Sequence, residues 1–274
     1  MAPILLVVHP ERPAAWELAS VARGWWERHG REVIEVRHAA PGLALAGSDD
    51  LEFAVSLGGD GTMLRTVELV VGAGVPVLGV NLGRMGYLTA VEPAGIEAAF
   101  EKMLAGDYLV EERMALEVEL SGSAPGRYTA LNDAIVERTA PGHTIHVAVE
   151  IAGRPFLTYI ADGILVSTPT GSTAHNLSAR GPVVSPRLQA MVLTPVSPHM
   201  LFDRSLVLEP SEEVRLTVVA DRAATAVVDG ARVIQLALGD SVVCRPAPEP
   251  ARLISFGVRD FHSALRHRFG LTDL

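Results

Sequence analysis

The chain is short of lysine, cysteine and long apolar runs, and each shortage removes a class of function. Lys102 is the one lysine among 23 lysine and arginine residues. It stands in Glu101-Lys102-Met103-Leu104, a helical stretch with no glycine loop beside it. The phosphate-binding lysine of a Walker A loop, or the strand lysine of a protein kinase, therefore has no candidate. Any phosphate must be handled by backbone amides, arginine and metal. The single cysteine, Cys244, excludes an internal disulfide and suits a reducing compartment. No apolar stretch approaches the roughly 18 residues of a membrane helix. Residues 3–8 are apolar but too few for a signal-peptide core, and no basic residue precedes them. A net charge of -9 without a basic cluster argues against a nucleic-acid surface. These features describe a globular cytoplasmic protein with neither nucleic acid nor membrane as partner.

What is present divides the chain in two. Over residues 1–112, buried-type strand runs (4–8, 33–36, 53–57, 75–80) alternate with helical spacing (13–29, 63–71, 95–104). Continuous apolar strands separated by helices indicate an open parallel sheet covered on both faces. In the helix over 13–29, Trp16, Ala19, Val21 and Trp25 form the expected apolar face. From Arg113 the period changes to two: Met114, Leu116, Val118 and Leu120 alternate with Ala115, Glu117 and Glu119. Further short β-type runs at 134–136, 145–151, 164–167, 214–219, 225–228 and 241–244, punctuated by turns such as Asp229-Gly230, indicate a β-sandwich over 113–246. A proline-rich linker (246–250) precedes a tail, 247–274, with a helix over 263–269, and lets that tail return to the first domain.

Four constellations carry chemistry. Gly58-Gly59-Asp60-Gly61-Thr62 lies between the 53–57 strand and the following helix, at the carboxyl end of the sheet where ligands bind in such folds. Bare amides in a glycine turn receive phosphate oxygens. A carboxylate among them repels phosphate unless a cation or a reacting hydroxyl lies between, which points to phosphoryl transfer. Asn81-Leu82-Gly83-Arg84-Met85-Gly86-Tyr87-Leu88-Thr89 is a second glycine loop expected at the same edge; a plain strand-to-helix turn is its simpler reading. Asn132-Asp133 pairs an amide with a carboxylate, suited to an adenine edge or ribose hydroxyls, or to an Asx turn. The densest run extends from Asp162-Gly163 through Ser167-Thr168-Pro169-Thr170-Gly171-Ser172-Thr173-Ala174-His175-Asn176-Leu177-Ser178. A helix starting near Ser172 or Thr173 needs one or two of these hydroxyls as caps. The surplus suits an anion or a ribose. The histidines lack metal-pair spacing, and no Gly-x-Ser-x-Gly elbow is present.

These residues together resemble the NAD kinase family, with Pro198-His199 and Asp229-Gly230 extending the match over roughly residues 50–230. The glycine-aspartate turn is shared with diacylglycerol and sphingosine kinases; the Thr168–Ala174 stretch is far more specific. The resemblance implies an α/β domain over 1–112 that handles phosphate and a β-sandwich over 113–246 that binds NAD. It implies a tail that packs on the first domain. It implies transfer of a phosphoryl group from ATP with magnesium, or from polyphosphate, to the 2′-hydroxyl of the adenosine ribose of NAD. Asp60 is then the general base, and Gly58, Gly59, Gly61 and Thr62 form the phosphate loop. Asp60, Gly61, Arg65, Asn132, Asp133, Asp162, Thr173, Ala174, His175, Asn176, Leu177 and Ser178 line the NAD site. The family's active unit is a homodimer or homotetramer in which some contacts cross between subunits. No protein ligand of the metal is identified. Four positions depart from the family pattern: Asp133 where glutamate is common, His175 where tyrosine is common, Ile160 in place of a basic residue, and Ala231 in place of glutamine. A lipid kinase would show a basic or amphipathic membrane-seeking face, which this acidic chain lacks. A silent nucleotide sensor, which binds without transfer, is the alternative from another class, and the retention of Asp60 counts against it.

Overall fold

The computed structural model describes residues 2–37, 50–83, 86–140, 142–220, 223–257 and 260–270, with the backbone alone at 231–233 and 267–268. The chain forms two compact units, one of Met1–Glu112 with Ala251–Leu274 and one of Arg113–Pro250.

The first unit begins with β1 (Ile4–Val8), α1 (Pro13–Arg28), β2 (Val33–Val36), β3 (Phe53–Gly58), α2 (Asp60–Val70), β4 (Val77–Asn81), α3 (Ile96–Ala105) and β5 (Leu109–Arg113). Pro13 starts α1, where its missing N–H costs nothing. The buried face of α1 is Ala15, Ala19, Ala22, Trp25 and Trp26. Trp16 and Val21, expected on that face, are exposed instead, because the sheet is met by the i, i+4, i+7 row starting at Ala15. Trp25 and Trp26 pack against Phe100 of α3, with ring centroids 5.2 and 4.8 Å away. That aromatic cluster fixes two helices on one side of the sheet.

The second unit contains β6 (Leu116–Ser121), β7 (Gly126–Ala130), β8 (Asp133–Arg138), β9 (Ile145–Ile151), β10 (Arg154–Ala161), β11 (Gly163–Ser167), α4 (His175–Ser178), β12 (Met191–Val196), β13 (Leu206–Leu208), β14 (Val214–Val218), β15 (Ala224–Val228), β16 (Ala231–Leu236) and β17 (Ser241–Pro246). Two antiparallel sheets result, ordered β10-β9-β14-β17-β6-β7 and β13-β12-β11-β8-β15-β16. One core joins them, with Leu116, Val118, Val147 and Leu216 from the first sheet against Val136, Ile164, Val166 and Leu193 from the second. In the first sheet, β6, β9 and β14 alternate buried and part-exposed residues, the signature of one wet face. By contrast, β11 is buried throughout, so both faces of the second sheet are covered at that strand.

The chain then returns to the first unit as β18 (Ala251–Ser255) and α5 (Phe261–Phe269). The sheet of the first unit has the order β2-β1-β3-β4-β18-β5. Each pair from β2 to β18 is parallel. The order reverses between β1 and β3: β2 lies on one side of β1 and β3 on the other. Such a switch opens a crevice at the carboxyl ends of the two strands. Gly58 ends β3 there, and Asp60 opens α2 immediately after it.

Candidate active site

The turn after β3 is shaped by unequal glycines. At Gly58 an added Cβ would lie 2.1 Å from Thr62 Oγ1 and 2.6 Å from Thr62 Cβ, so this glycine exists to let the first turn of α2 close back on the strand. Gly59 and Gly61 face open space, with no atom within 4 Å of an added Cβ. Their bare backbone is a packing requirement of nothing in the fold. Gly59 is the N-cap of α2 and lends it no side chain, so the amides of the first turn remain available to an acceptor.

Asp60 is held from outside its helix. Its carboxylate accepts hydrogen bonds from the backbone N–H of Tyr87, 3.0 Å from each oxygen, and from that of Leu88 at 3.0 Å. The loop after β4 thus fixes the carboxylate's orientation. That loop is itself tied down, since Asn81 Oδ1 accepts from Gly83 N at 2.9 Å and Asn81 Nδ2 donates to Glu92 at 3.0 Å. Gly86 is compelled by contact, an added Cβ lying 1.7 Å from Thr89 Oγ1. Arg84 and Met85 lie outside the described residues. Arg65, one turn along α2, pairs with Glu68.

In the second unit, residues 131–133 are gripped on every backbone group. The N–H groups of Leu131, Asn132 and Asp133 all donate to the carboxylate of Asp229, at 2.8, 2.7 and 3.0 Å. Their carbonyls accept from Thr168 Oγ1 (2.6 Å), Thr168 N (2.8 Å) and Asp229 N (2.9 Å) respectively. What is left over is the pair of side chains. Among the described residues nothing donates to the Asp133 carboxylate, and the Asn132 amide has no partner. Asp133 is only 4% exposed. Burial first, and then the charge of Asp229, push its carboxyl up to about 7. A buried carboxylate without a donor is costly to keep, and such groups concentrate at functional sites.

The hydroxyl-rich run behaves differently from the expectation that its surplus hydroxyls face an anion or a ribose. Ser167 and Thr168 donate to the carbonyls of residues 131, 132 and 168. Ser172 Oγ donates to Pro169 O at 2.7 Å and accepts from Val184 N at 2.9 Å. Thr173 Oγ1 donates to Thr170 O at 3.3 Å. Thr170 Oγ1 alone is buried without a partner. The hydroxyls mould the loop, whose irregular backbone would otherwise leave carbonyls unpaired. The expected helix is a 3-10 turn over Gly171–Thr173 followed by the short α4, and neither uses a side-chain cap. Asn176 is fully buried, its Nδ2 donating to Ser172 O and Pro182 O and its Oδ1 accepting from Thr194 Oγ1 at 2.7 Å. Ala174, His175 and Leu177 are half-buried and Ser178 is exposed. Ser178 borders a hollow of about 430 Å³ lined also by Arg180, Val196, Ser197, Asp203 and Arg204.

The site residues do not all converge within one chain. β8 and β11 are antiparallel, with Ser167 opposite Asp133 and Gly163 opposite Glu137. Asp162 therefore lies six residues along the ladder from the level of Asn132, roughly 20 Å at the usual rise. There it pairs with Arg138, Nε to Oδ1, at 3.0 Å. Asp229 was visible in the sequence as the first residue of a turn and as part of the family match; nothing there shows a carboxylate reaching a segment nearly a hundred residues earlier.

Residues 42–108 match the family model of the ATP-NAD kinase N-terminal domain, and residues 131–256 match that of the ATP-NAD kinase C-terminal domain. The chain belongs to the NAD kinase family. It is 41% identical to an NAD kinase of Heliobacterium modesticaldum over 96% of each chain. It is 38% identical to one of Wolinella succinogenes over 98% of this chain and 95% of the relative. Among solved structures, a yeast NADH kinase complexed with NADH superposes with a TM-score of 0.85 at 22% identity, covering 100% of this chain and 89% of that one. An NAD kinase from Archaeoglobus fulgidus in complex with ATP gives 0.74 at 26% identity over 97% of both. NAD kinases thus share both the sequence pattern and the two-unit fold described above.

Proposed function

We infer that this member of the NAD kinase family transfers the terminal phosphoryl group of ATP, or of polyphosphate, to the 2′-hydroxyl of the adenosine ribose of NAD, releasing NADP. The observation that carries the chemistry is Asp60, a carboxylate oriented by two backbone amides beside a helix start whose glycines face open space. Asp60 takes the proton of the 2′-hydroxyl as that oxygen bonds to the terminal phosphorus. The bond from phosphorus to the donor's bridging oxygen breaks, and ADP leaves with the electron pair. Because such transition states are loose, holding the hydroxyl in line matters more than early deprotonation. The amides after Gly58 and Gly59, with Gly61 and Thr62, receive the phosphates.

In the second unit Asn132 and Asp133 take the dinucleotide through side chains the protein leaves unpartnered. Thr173, Ala174, His175, Leu177 and Ser178 form the adjoining wall, and Asn176 serves by holding that loop. Arg65 lies one turn beyond Asp60 and reaches the dinucleotide's phosphates by exchanging its Glu68 partner. Asp162, distant from Asn132 in the same chain, contacts the dinucleotide of a second subunit in a homodimer or homotetramer. Among the described residues no three acidic, histidine or cysteine side chains gather. Magnesium would therefore be held by the donor phosphates, which fits a turn that offers a single carboxylate, Asp60. When bound it neutralises charge on the transferring group. No helix among the described residues is long and apolar enough to cross a membrane, and the reaction proposed is one between soluble substrates in the cytoplasm.

The glycines separate fold from function. Gly58→Ala should lower stability by about 1–3 kcal/mol, the scale of overpacking. Gly61→Ala should leave stability unchanged or raised by up to about 1 kcal/mol, since alanine is the better helix residue. Its methyl group nevertheless enters the space assigned to phosphate, so kcat/KM should fall by at least roughly tenfold, about 1.4 kcal/mol. Thermal melts and steady-state assays on the two purified variants read both effects. Unimpaired turnover in Gly61→Ala would remove the turn from the phosphate site.

A further inference from the structure

Asp229 opens the two-residue turn between β15 and β16, with φ of +50° at Asp229 and +69° at Gly230. A tight turn of that hand asks for Asn-Gly or Asp-Gly, and asparagine serves it at least as well as aspartate. The turn therefore does not explain a carboxylate. What uses the carboxylate is the segment 131–133, whose three consecutive N–H groups it accepts while its own N–H returns a bond to Asp133 O. Asparagine has one acceptor oxygen, and its NH₂ would face a donor.

We propose that Asp229 is a positioning residue, which sets the backbone of Leu131, Asn132 and Asp133 so that the Asn132 and Asp133 side chains present to the dinucleotide together. The inference rests on the reading that Asn132 and Asp133 bind NAD. Asp229 itself touches no substrate. It acts by fixing the rotation of three successive peptide planes, and Thr168 fixes two of them from their carbonyl side. The two side chains then need no rearrangement on binding, which lowers the entropic cost of association.

The test compares Asp229→Asn and Asn132→Ala with the parent enzyme, measuring KM for NAD, KM for ATP and kcat. Asp229→Asn keeps the turn chemistry and removes the clamp. It should raise KM for NAD about tenfold, the effect of losing one charge-assisted hydrogen bond, with KM for ATP unchanged and kcat within about threefold. Asn132→Ala should raise KM for NAD as well. If Asn132→Ala raises it and Asp229→Asn does not, Asp229 is a turn residue only and the positioning role is overturned. If Asn132→Ala leaves it unchanged, the placement of NAD at Asn132 fails, and the proposal fails with it for that separate reason. Amide hydrogen exchange on the parent protein covers the case in which Asp229→Asn does not fold. Exchange at residues 131–133 should be strongly slowed before any NAD is added, because the Asp229 carboxylate already binds all three N–H groups, and fast exchange there would contradict the proposal.

Discussion

Asp60→Asn should bind NAD with near-parental affinity and turn it over roughly 10²- to 10⁴-fold more slowly, the range associated with losing a general base. The amide keeps one oxygen for the N–H groups of Tyr87 and Leu88, which now hold the carboxylate at 3.0 Å. Its NH₂ cannot accept a proton and would oppose one of those donors. The helix start is little affected, because Gly59 rather than Asp60 is the cap. Melting temperature should therefore move by only a few degrees while kcat collapses. Isothermal titration with NAD, a thermal melt and a coupled NADP assay on the same preparation separate the three quantities. Turnover near the parental level in the folded variant would take Asp60 out of the mechanism.

The second large effect is structural. In Gly171→Ala the new Cβ would lie 2.0 Å from Asn132 O and 2.4 Å from Asn132 C. These are backbone atoms, and they cannot step aside. Asn132 O accepts from Thr168 N at 2.8 Å, and the N–H groups on both sides are bound to Asp229. Relief requires breaking the grip on 131–133 or unseating the 3-10 turn, at a cost of roughly 3 kcal/mol or more, the upper range of overpacking. For a chain of this size that corresponds to a fall in melting temperature of about 6–12 °C. A melt within 2 °C of the parent would mean that the two loops are packed less closely than described. The contrast with Gly61→Ala is instructive, since both glycines lie in the motifs that identify the family but only one is required by packing.

Much of the fold could be read from periodicity. β1 and β3 are continuous apolar runs buried at every position, and their bounds differ from the expectation by at most a residue. β6 shows strict alternation because one of its faces is wet. β10 escaped notice for a physical reason: it is an edge strand with Pro155 and exposed Phe156 and Ile160, and its pairing with β9 shifts register between Pro155 and Leu157. β12 carries Pro195, and prolines argue against strands in any local reading. β18 follows a proline-rich linker and finds its partner, β4, some 175 residues earlier, so no local window could show it as part of the first sheet. The α2 helix begins two residues before Thr62, since Asp60 and Gly61 belong to its first turn.

The candidate site was partly legible. Asp60 stood out because a carboxylate in a glycine turn conflicts with phosphate, and the structure adds what orients it. Asn132 and Asp133 were identified by residue type, and the structure explains why they remain available, every backbone group beside them being already bound. The resemblance places Thr173 and Asn176 at the NAD site, and the structure adds that both, like the cap candidate Ser172, bond to loop carbonyls, which are invisible in a sequence. Asp229 read as a turn residue and as part of the family match, without a role of its own. Long-range side-chain-to-backbone bonds leave no periodic trace, which is why both supporting devices, Asp229 and the 167–172 hydroxyls, emerged only from coordinates.

The most direct measurement of the central claim is product formation by the purified full chain with NAD, ATP and magnesium. It is followed by a dehydrogenase specific for NADP, with phosphorus NMR locating the new phosphate on the ribose. NADP carrying a 2′-phosphate, formed with one ADP per turnover and slowed roughly 10²- to 10⁴-fold in Asp60→Asn, is the expected result. Binding of NAD without any product would mark a silent sensor, and phosphorylation of a lipid but not of NAD would mark the other kinase class; either would contradict the account.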